Sequence, residues 1–297
     1  MQSFSFNNFV SKLKKIDLSL EAKKWTNLAL GGKPLLTFFP ESIEEIQFFI
    51  KNKPENLKYR TFGAGSNILI RDNGYNGVFI RLNKTLKQIK LNQNLLIADA
   101  GAGFAQITQF CLQNELGGLE FISTIPGQMG GLAKMNAGIP EIEMKDIVEW
   151  VEFIDEYGNL NRLNNSDCGF QYRKSCFKNN WIITKVALKT FMQKKDLIFE
   201  KINQLKNKRK LSQPTIGKIA GCFFKNPLPN KAWKIIENTN LKSCGDTFIS
   251  NLHKNFIIAD KSLDSYEVEY LINSIKAKSL FQQNCFLESE VEIIGNY

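Results

Sequence analysis

The stretch Ile125-Pro126-Gly127-Gln128-Met129-Gly130-Gly131, followed at once by Met135-Asn136-Ala137-Gly138, lies in the most glycine-dense part of the chain. Pro126-Gly127 makes a turn. Gly130-Gly131 lets the backbone come close to something flat or charged, because glycine adds no Cβ in the way. A tight connection that merely needs room is the alternative. A second loop, Gly63-Ala64-Gly65-Ser66-Asn67, lies between two extended segments. Successive N–H groups in such a turn can form a nest for a phosphate, with Ser66 and Asn67 adding side-chain hydrogen bonds. It is no Rossmann fingerprint, since a third glycine is lacking and extended sequence, not a helix, follows. Alone it reads better as a plain turn. Two such loops, about sixty residues apart in mixed α/β surroundings, favour a dinucleotide with its pyrophosphate gripped from two sides.

Working outward, the chain reads as an α+β protein in three blocks, 1–82, 83–192 and 193–297. Residues 1–26 read as a helical, lysine-rich lead-in. Ser42-Ile43-Glu44-Glu45 has the form of a capping box, with Ile43, Ile46, Phe49 and Ile50 on one helical face. Strands are expected at 59–63, 68–70, 78–82 and 95–98. A helix is expected from Phe104 to about Glu115. Val148–Ile154 alternates apolar and polar, and Leu160–Leu163 returns after a turn at Glu156-Tyr157-Gly158. In the last block, a lysine-rich helix and linker are expected over 193–212, another helix at 233–236, and a third from Asp264 to Leu280, started by a capping box of Asp264 and Glu267. Phe286–Ile294 reads as a closing strand.

Composition narrows the function classes. With 297 residues and a 43% hydrophobic fraction, the chain can bury more than one core. No apolar run approaches the ~20 residues that span a bilayer. Met1–Phe6 lacks the apolar core of a signal peptide, so a cytoplasmic location is expected. The six cysteines form no C-x-x-C pair and His253 is the sole histidine. A metal site is therefore not expected, nor is a Cys–His nucleophile unless His253 serves it. The net charge of +10 is spread along the chain. It suits an anionic small ligand, and no nucleic-acid module is evident.

Gly221-Cys222-Phe223-Phe224-Lys225-Asn226-Pro227 is the candidate for chemistry. Glycine allows close approach, Cys222 offers a thiol that titrates near ~8.5 when free, and Lys225 and Asn226 offer a cation and an amide to a polar, anionic substrate. A strand with a buried structural cysteine, ended by Asn-Pro, is the alternative.

These motifs, with Thr26-Asn27, Gly31-Gly32, Gly118-Leu119-Glu120, Phe170-Gln171-Tyr172-Arg173-Lys174-Ser175, Gln213-Pro214 and Leu287-Glu288-Ser289-Glu290-Val291, run in one order from about residue 26 to 295. In that order the chain resembles the UDP-N-acetylenolpyruvoylglucosamine reductase (MurB) family of bacterial peptidoglycan synthesis, in its shorter type without the tyrosine-loop insertion. The resemblance implies a vanillyl-alcohol-oxidase/PCMH-type FAD-binding fold of two α/β subdomains, 1–82 and 83–192, and a C-terminal α+β substrate-binding domain, 193–297. It implies non-covalent FAD, NADPH as reductant, and a UDP-sugar enolpyruvate as substrate. A monomer is expected, with neither nucleic acid nor membrane as partner.

Residue by residue, the resemblance makes Gly63, Ala64, Gly65, Ser66, Asn67, Pro126, Gly127, Gly130, Gly131, Asn136 and Gly138 cofactor-binding. Tyr172, Lys225 and Asn226 become substrate-binding, and Arg173, Cys222 and Glu290 catalytic. A fixed cation at Arg173 suits the charge that hydride addition pushes into an enolpyruvyl carboxylate. Glu290 near that carboxylate would hold its proton and hydrogen-bond the enol. Glu288 would share its strand face, and only the resemblance selects Glu290. Cys222 departs from the family's usual serine, yet a thiol is the more acidic proton donor.

Overall fold

A computed structural model describes residues 6–82, 84–259 and 264–296. Its contacts divide it into two compact units. One comprises Met1–Leu18, Leu36–Ala64 and Gly77–Asn207; the other comprises Ser19–Leu35, Gly65–Asn76 and Lys208–Tyr297. The division differs from the consecutive blocks 1–82, 83–192 and 193–297. The difference comes from long-range pairing: Ile68–Ile70 lies parallel to Glu292–Ile294, so residues 65–76 belong with the C-terminal part of the chain.

Ile16–Asp17, Pro34–Phe38, Tyr75–Ile80 and Tyr59–Thr61 form a four-stranded sheet in that order. The helix Ile43–Asn52 buries Ile46, Phe49 and Ile50, and Phe49 stacks on Phe38 at 5.4 Å between ring centroids. Ser42 caps it by accepting from the Glu45 N–H. Glu45 reaches back to the Glu41 N–H, one residue outside a regular capping box. A five-stranded antiparallel sheet follows, ordered Leu160–Asn164, Val148–Ile154, Ile182–Lys189, Leu95–Asp99, Ile89–Asn92. Helix Phe104–Gln113 buries Ile107 and Cys111, and Phe104 and Phe110 pack partly buried against the same core.

In the second unit, Ser243–Cys244, Thr247–Ile249 and Ile257–Ile258 form a three-stranded sheet. Helices Ala232–Asn238 and Ser265–Gln283 share a core with Leu69, Phe223, Phe224 and Val291. Asp264 caps the longer helix through the Tyr266 N–H, but Glu267 completes no box: its carboxylate accepts from the Asp246 N–H and the Thr247 hydroxyl.

Two expectations change. Within the described part of 1–26, helix is confined to Phe6–Val10 and a 3-10 turn at Ala22–Lys24. Ile16–Asp17 is instead a sheet edge paired with Phe38 and Thr37, and Ala22 and Lys23 donate to the carbonyls of Gly32 and Gly31. Of the expected strand 286–294, only Glu292–Ile294 is regular. The stretch before it pairs elsewhere, with Ser289 opposite Phe224. The alternation is real, but the segment changes partner midway.

Candidate active site

The Gly63–Asn67 loop is held through its carbonyls. Gly63 O faces the Arg81 guanidinium at 3.5 Å, Gly65 O accepts from the Asn27 N–H, Ser66 O from the Gly221 N–H and Asn67 O from the Glu292 N–H. In a trans peptide the N–H points opposite to the C=O. The N–H groups of Ala64, Ser66 and Asn67 therefore turn away from these partners, as a phosphate nest requires. Gly65 has φ +67°, and a Cβ there would meet Trp25 O at 2.5 Å, so only glycine fits. This geometry fits the pyrophosphate of a dinucleotide.

Arg81 was invisible as a site residue in the sequence. It is 6% exposed, lies against the Phe62 ring at 5.4 Å, and burial pulls its pKa down to about 10. Its only forward signal is its place at the end of a strand in an apolar run, Val78–Leu82.

The other glycine loop folds into a short helix, Met129–Lys134. The N–H groups of Met129 and Gly130 donate to Ala102 O and Ala100 O, so neither is left for a ligand. Gly130 is required by packing, since a Cβ there would lie 2.9 Å from the Ala100 Cβ; at Gly127 it would lie 3.0 Å from Leu132. Gly131 is different: it is exposed, and a Cβ built there meets nothing within 4 Å. Nothing in the protein requires glycine at that point, which suits a ligand lying flat against the helix. Pro126, half-buried, opens the turn before it.

Asn136 is fully buried with φ +45°. Its amide nitrogen donates to Gln171 O and to Glu143 Oε2, and its amide oxygen accepts from the Lys145 N–H. Asn136 thus serves a cofactor only through what it holds, which includes the turn carrying Arg173. In that turn Gln171 and Lys174 exchange backbone hydrogen bonds, with Tyr172 and Arg173 at the tip and Arg173 at φ +54°. The guanidinium donates to Gly138 O at 3.2 Å, lies 3.8 Å from a Glu143 carboxylate oxygen and stands over the exposed Tyr172 ring at 5.2 Å. A Cβ at Gly138 would meet Ile142 O at 2.5 Å, so glycine there follows from the hairpin with Ile142–Glu143.

Cys222 and Glu290 lie on adjacent extended segments of one unit. Glu290 N–H donates to Phe223 O at 2.8 Å and Lys225 N–H to Glu288 O at 2.9 Å. Phe223 and Phe224 are buried in the core, while Cys222 and Glu290 are half-buried. The rings anchor the segment and leave the thiol within reach of solvent. Lys225 is ion-paired with Glu288 at 2.6 Å, and Asn226 Oδ1 accepts from the Ala232 N–H at the start of a helix. Both therefore carry structural duties beside any contact with substrate.

Arg209, in the last turn of helix Lys195–Ser212, was also missed. Burial pushes its pKa down, and Coulombic interaction with Cys222 opposes that shift. The coupling is mutual, so the Arg209 guanidinium can act on the Cys222 sulfur in turn. Among the described residues no group of acidic, histidine and cysteine side chains could hold a metal ion, and none of the six cysteines is bridged.

The family model "UDP-N-acetylenolpyruvoylglucosamine reductase, C-terminal domain" matches residues 213–294, and "FAD binding domain" matches 34–164. The UDP-N-acetylenolpyruvoylglucosamine reductase of Orientia tsutsugamushi (strain Ikeda) is 37% identical over 273 residues, 90% of each chain. The chain belongs to the UDP-N-acetylenolpyruvoylglucosamine reductase family. The reductase of Rickettsia akari is 34% identical over 95% of each chain. The crystal structure of the MurB reductase from Thermus caldophilus superimposes with a TM-score of 0.81 at 31% identity, covering 95% of this chain and 98% of that one. Both glycine loops fall inside the FAD-binding match. Cys222, Lys225, Asn226 and Glu290 fall inside the reductase C-terminal match, and Arg173 lies in neither.

Proposed function

We infer that this protein reduces UDP-N-acetylglucosamine enolpyruvate to UDP-N-acetylmuramate with NADPH and FAD, in peptidoglycan synthesis. The observation that carries this reading is end-to-end kinship with reductases of that name, joined to a thiol and a carboxylate held on neighbouring segments.

FAD, when bound, would supply the hydride chemistry that links NADPH to C3 of the enolpyruvyl group. The chain's own residues do the rest. The N–H groups of Ala64, Ser66 and Asn67 hold the pyrophosphate, and Gly131 leaves room for the cofactor. The loop Gly63–Asn67 contains neither histidine nor cysteine, which suits non-covalent attachment. Arg173 binds the substrate carboxylate and stabilises the charge that hydride addition drives into it. Its positive φ and its bond to Gly138 O preset the guanidinium, so little ordering remains for the reaction. Glu290 is the hydrogen-bond partner of the enol. Cys222 gives its proton to C2, and the resulting thiolate recovers one from solvent; Arg209 stabilises the thiolate meanwhile. Tyr172, Lys225 and Asn226 hold the sugar nucleotide, with Lys225 shared between Glu288 and the diphosphate. A cytoplasmic monomer is the form proposed. Among the described residues, no helix is long and apolar enough to cross a membrane.

Anaerobic titration tests the reading. NADPH should bleach the flavin absorbance, and the enolpyruvyl sugar nucleotide should restore it stoichiometrically without oxygen. Bleaching without restoration by that substrate would assign the protein to another reaction.

A further inference from the structure

The segment carrying Cys222 runs antiparallel to residues 255–259, but not in one register. Ile219 pairs with Ile258, and Ala259 N–H donates to Lys218 O at 2.9 Å. Continued regularly, that register would bring Cys222 opposite Asn255. Instead it is Phe223 whose N–H donates to Asn255 O, at 2.9 Å. One extra residue therefore lies on the Cys222 side between these two points, as in a β-bulge. A bulge re-aims the side chains it carries, and here it carries Gly221 and Cys222. Gly221 is drawn aside by its N–H bond to Ser66 O at 3.0 Å.

Beyond the bulge, Phe224 turns both main-chain polar groups toward Asn255, where the side chain takes the place of a strand. Asn255 Oδ1 accepts from the Phe224 N–H at 2.9 Å, and Nδ2 donates to Phe224 O at 2.7 Å. A carboxamide presents the same acceptor and donor as a peptide, so it pairs with Phe224 as a neighbouring strand would. Asn255 is 3% exposed, so water does not replace these bonds. It is itself fixed. Its N–H donates to His253 Nδ1 at 3.2 Å, and the turn around it is closed by Phe256 N–H to His253 O and Ser250 N–H to Phe256 O.

We propose that Asn255 is the positioning residue for the proton donor: it locks the bulge in register and so sets where the Cys222 thiol points. The assignment of Cys222 as donor rests on the function proposed above. Asn255 touches neither the thiol nor, in this reading, the substrate. It acts through the peptides of Phe223 and Phe224.

The test uses the FAD-loaded protein and the variants Asn255→Asp and Asn255→Ser. Asn255→Asp keeps the acceptor for the Phe224 N–H but sets a carboxylate oxygen against Phe224 O. Flavin reduction by NADPH should keep its wild-type rate, while reoxidation by the enolpyruvyl sugar nucleotide slows by at least about tenfold, the cost of a misplaced reacting group. Alkylation of Cys222 by iodoacetamide, followed by peptide mass spectrometry, should change rate by about fivefold or more, the scale of an altered thiol environment. An equal loss in both half-reactions, or folded variants with wild-type reoxidation and alkylation rates, would overturn the proposal. If neither variant folds, amide exchange of the wild type decides: Phe223 and Phe224 should exchange as slowly as strand Ile182–Lys189, and loop-like exchange would refute the lock. If wild-type reduced flavin is not reoxidised by that substrate, the functional reading fails, and alkylation and exchange still judge Asn255.

Discussion

The side-chain amide of Asn67 donates to the main-chain carbonyl of Glu290 across 2.9 Å, joining residues 223 positions apart in the chain. The Asn67 carbonyl answers by accepting from the Glu292 N–H. One asparagine thus belongs to the candidate cofactor loop and also fixes the segment that carries Glu290. Asn67→Ala should cost about 1 kcal/mol in stability, the usual net worth of such a bond. It should weaken FAD binding and slow flavin reoxidation by substrate together. Thermal unfolding and a flavin fluorescence titration check this; loss of only one function would separate the two roles.

The glycines offer a contrast of opposite sign. Gly65→Ala forces a side chain into φ +67° and against Trp25 O, so it should destabilise the apoprotein by about 1–3 kcal/mol. Gly131→Ala meets nothing and lies in a helix, where alanine is favoured by up to about 1 kcal/mol. Its apoprotein should melt no lower than wild type, yet its FAD dissociation constant should rise. Unchanged FAD affinity in Gly131→Ala would mean that the open space beside the helix is not the cofactor's.

Cys222→Ala should leave reduction by NADPH near normal and slow the substrate half-reaction by about 10²–10⁴-fold, the range for a lost general acid. Cys222→Ser keeps a proton to give and should retain most of the turnover while losing sensitivity to iodoacetamide. Stopped-flow traces of both half-reactions supply the measurement. Equal damage to both would remove Cys222 from the role of donor.

Arg173→Ala should cut turnover by about 10²–10³-fold, as removal of a stabilising donor does. FAD should stay bound, because the role proposed for Arg173 is on the substrate carboxylate. Arg173→Lys should recover little, since an ammonium lacks the planar fork and loses the fit over Tyr172. Flavin content after purification and steady-state rates test both points.

Burial holds the His253 pKa below its ordinary value, so the folded state keeps the ring neutral where the unfolded chain would protonate it. The unfolded chain therefore binds more protons in that window, and stability rises with pH there. The contribution is present above the ordinary value of about 6.5 and is lost as pH falls through the folded value. Melting temperature should drop on acidification from pH 7.5 to pH 5, and His253→Gln should flatten part of that slope. A slope unchanged in the variant would point to other groups.

Much of this protein was set by local sequence. Helices such as Ile43–Asn52 and Phe104–Gln113 follow from apolar spacing at 3.6 residues, and strand Val148–Ile154 from alternation, because each needs only its own side chains and a generic core. The glycine loops and the Cys222 and Arg173 motifs stand out for the same reason: each is a run of consecutive residues. Tertiary structure decided the rest. Whether Gly130 or Gly131 leaves room for a ligand depends on Ala100, thirty positions earlier. Residues 286–294 alternate as one strand, yet pair first with the Cys222 segment and then with Ile68–Ile70. Arg209 and Asn255 carry no pattern at all, and Arg81 only its place in an apolar run, since what they do lies in burial and in partners distant along the chain. Pairing between remote backbone groups is chosen by the competition of whole segments for hydrogen bonds and core space, and no window of sequence contains both competitors.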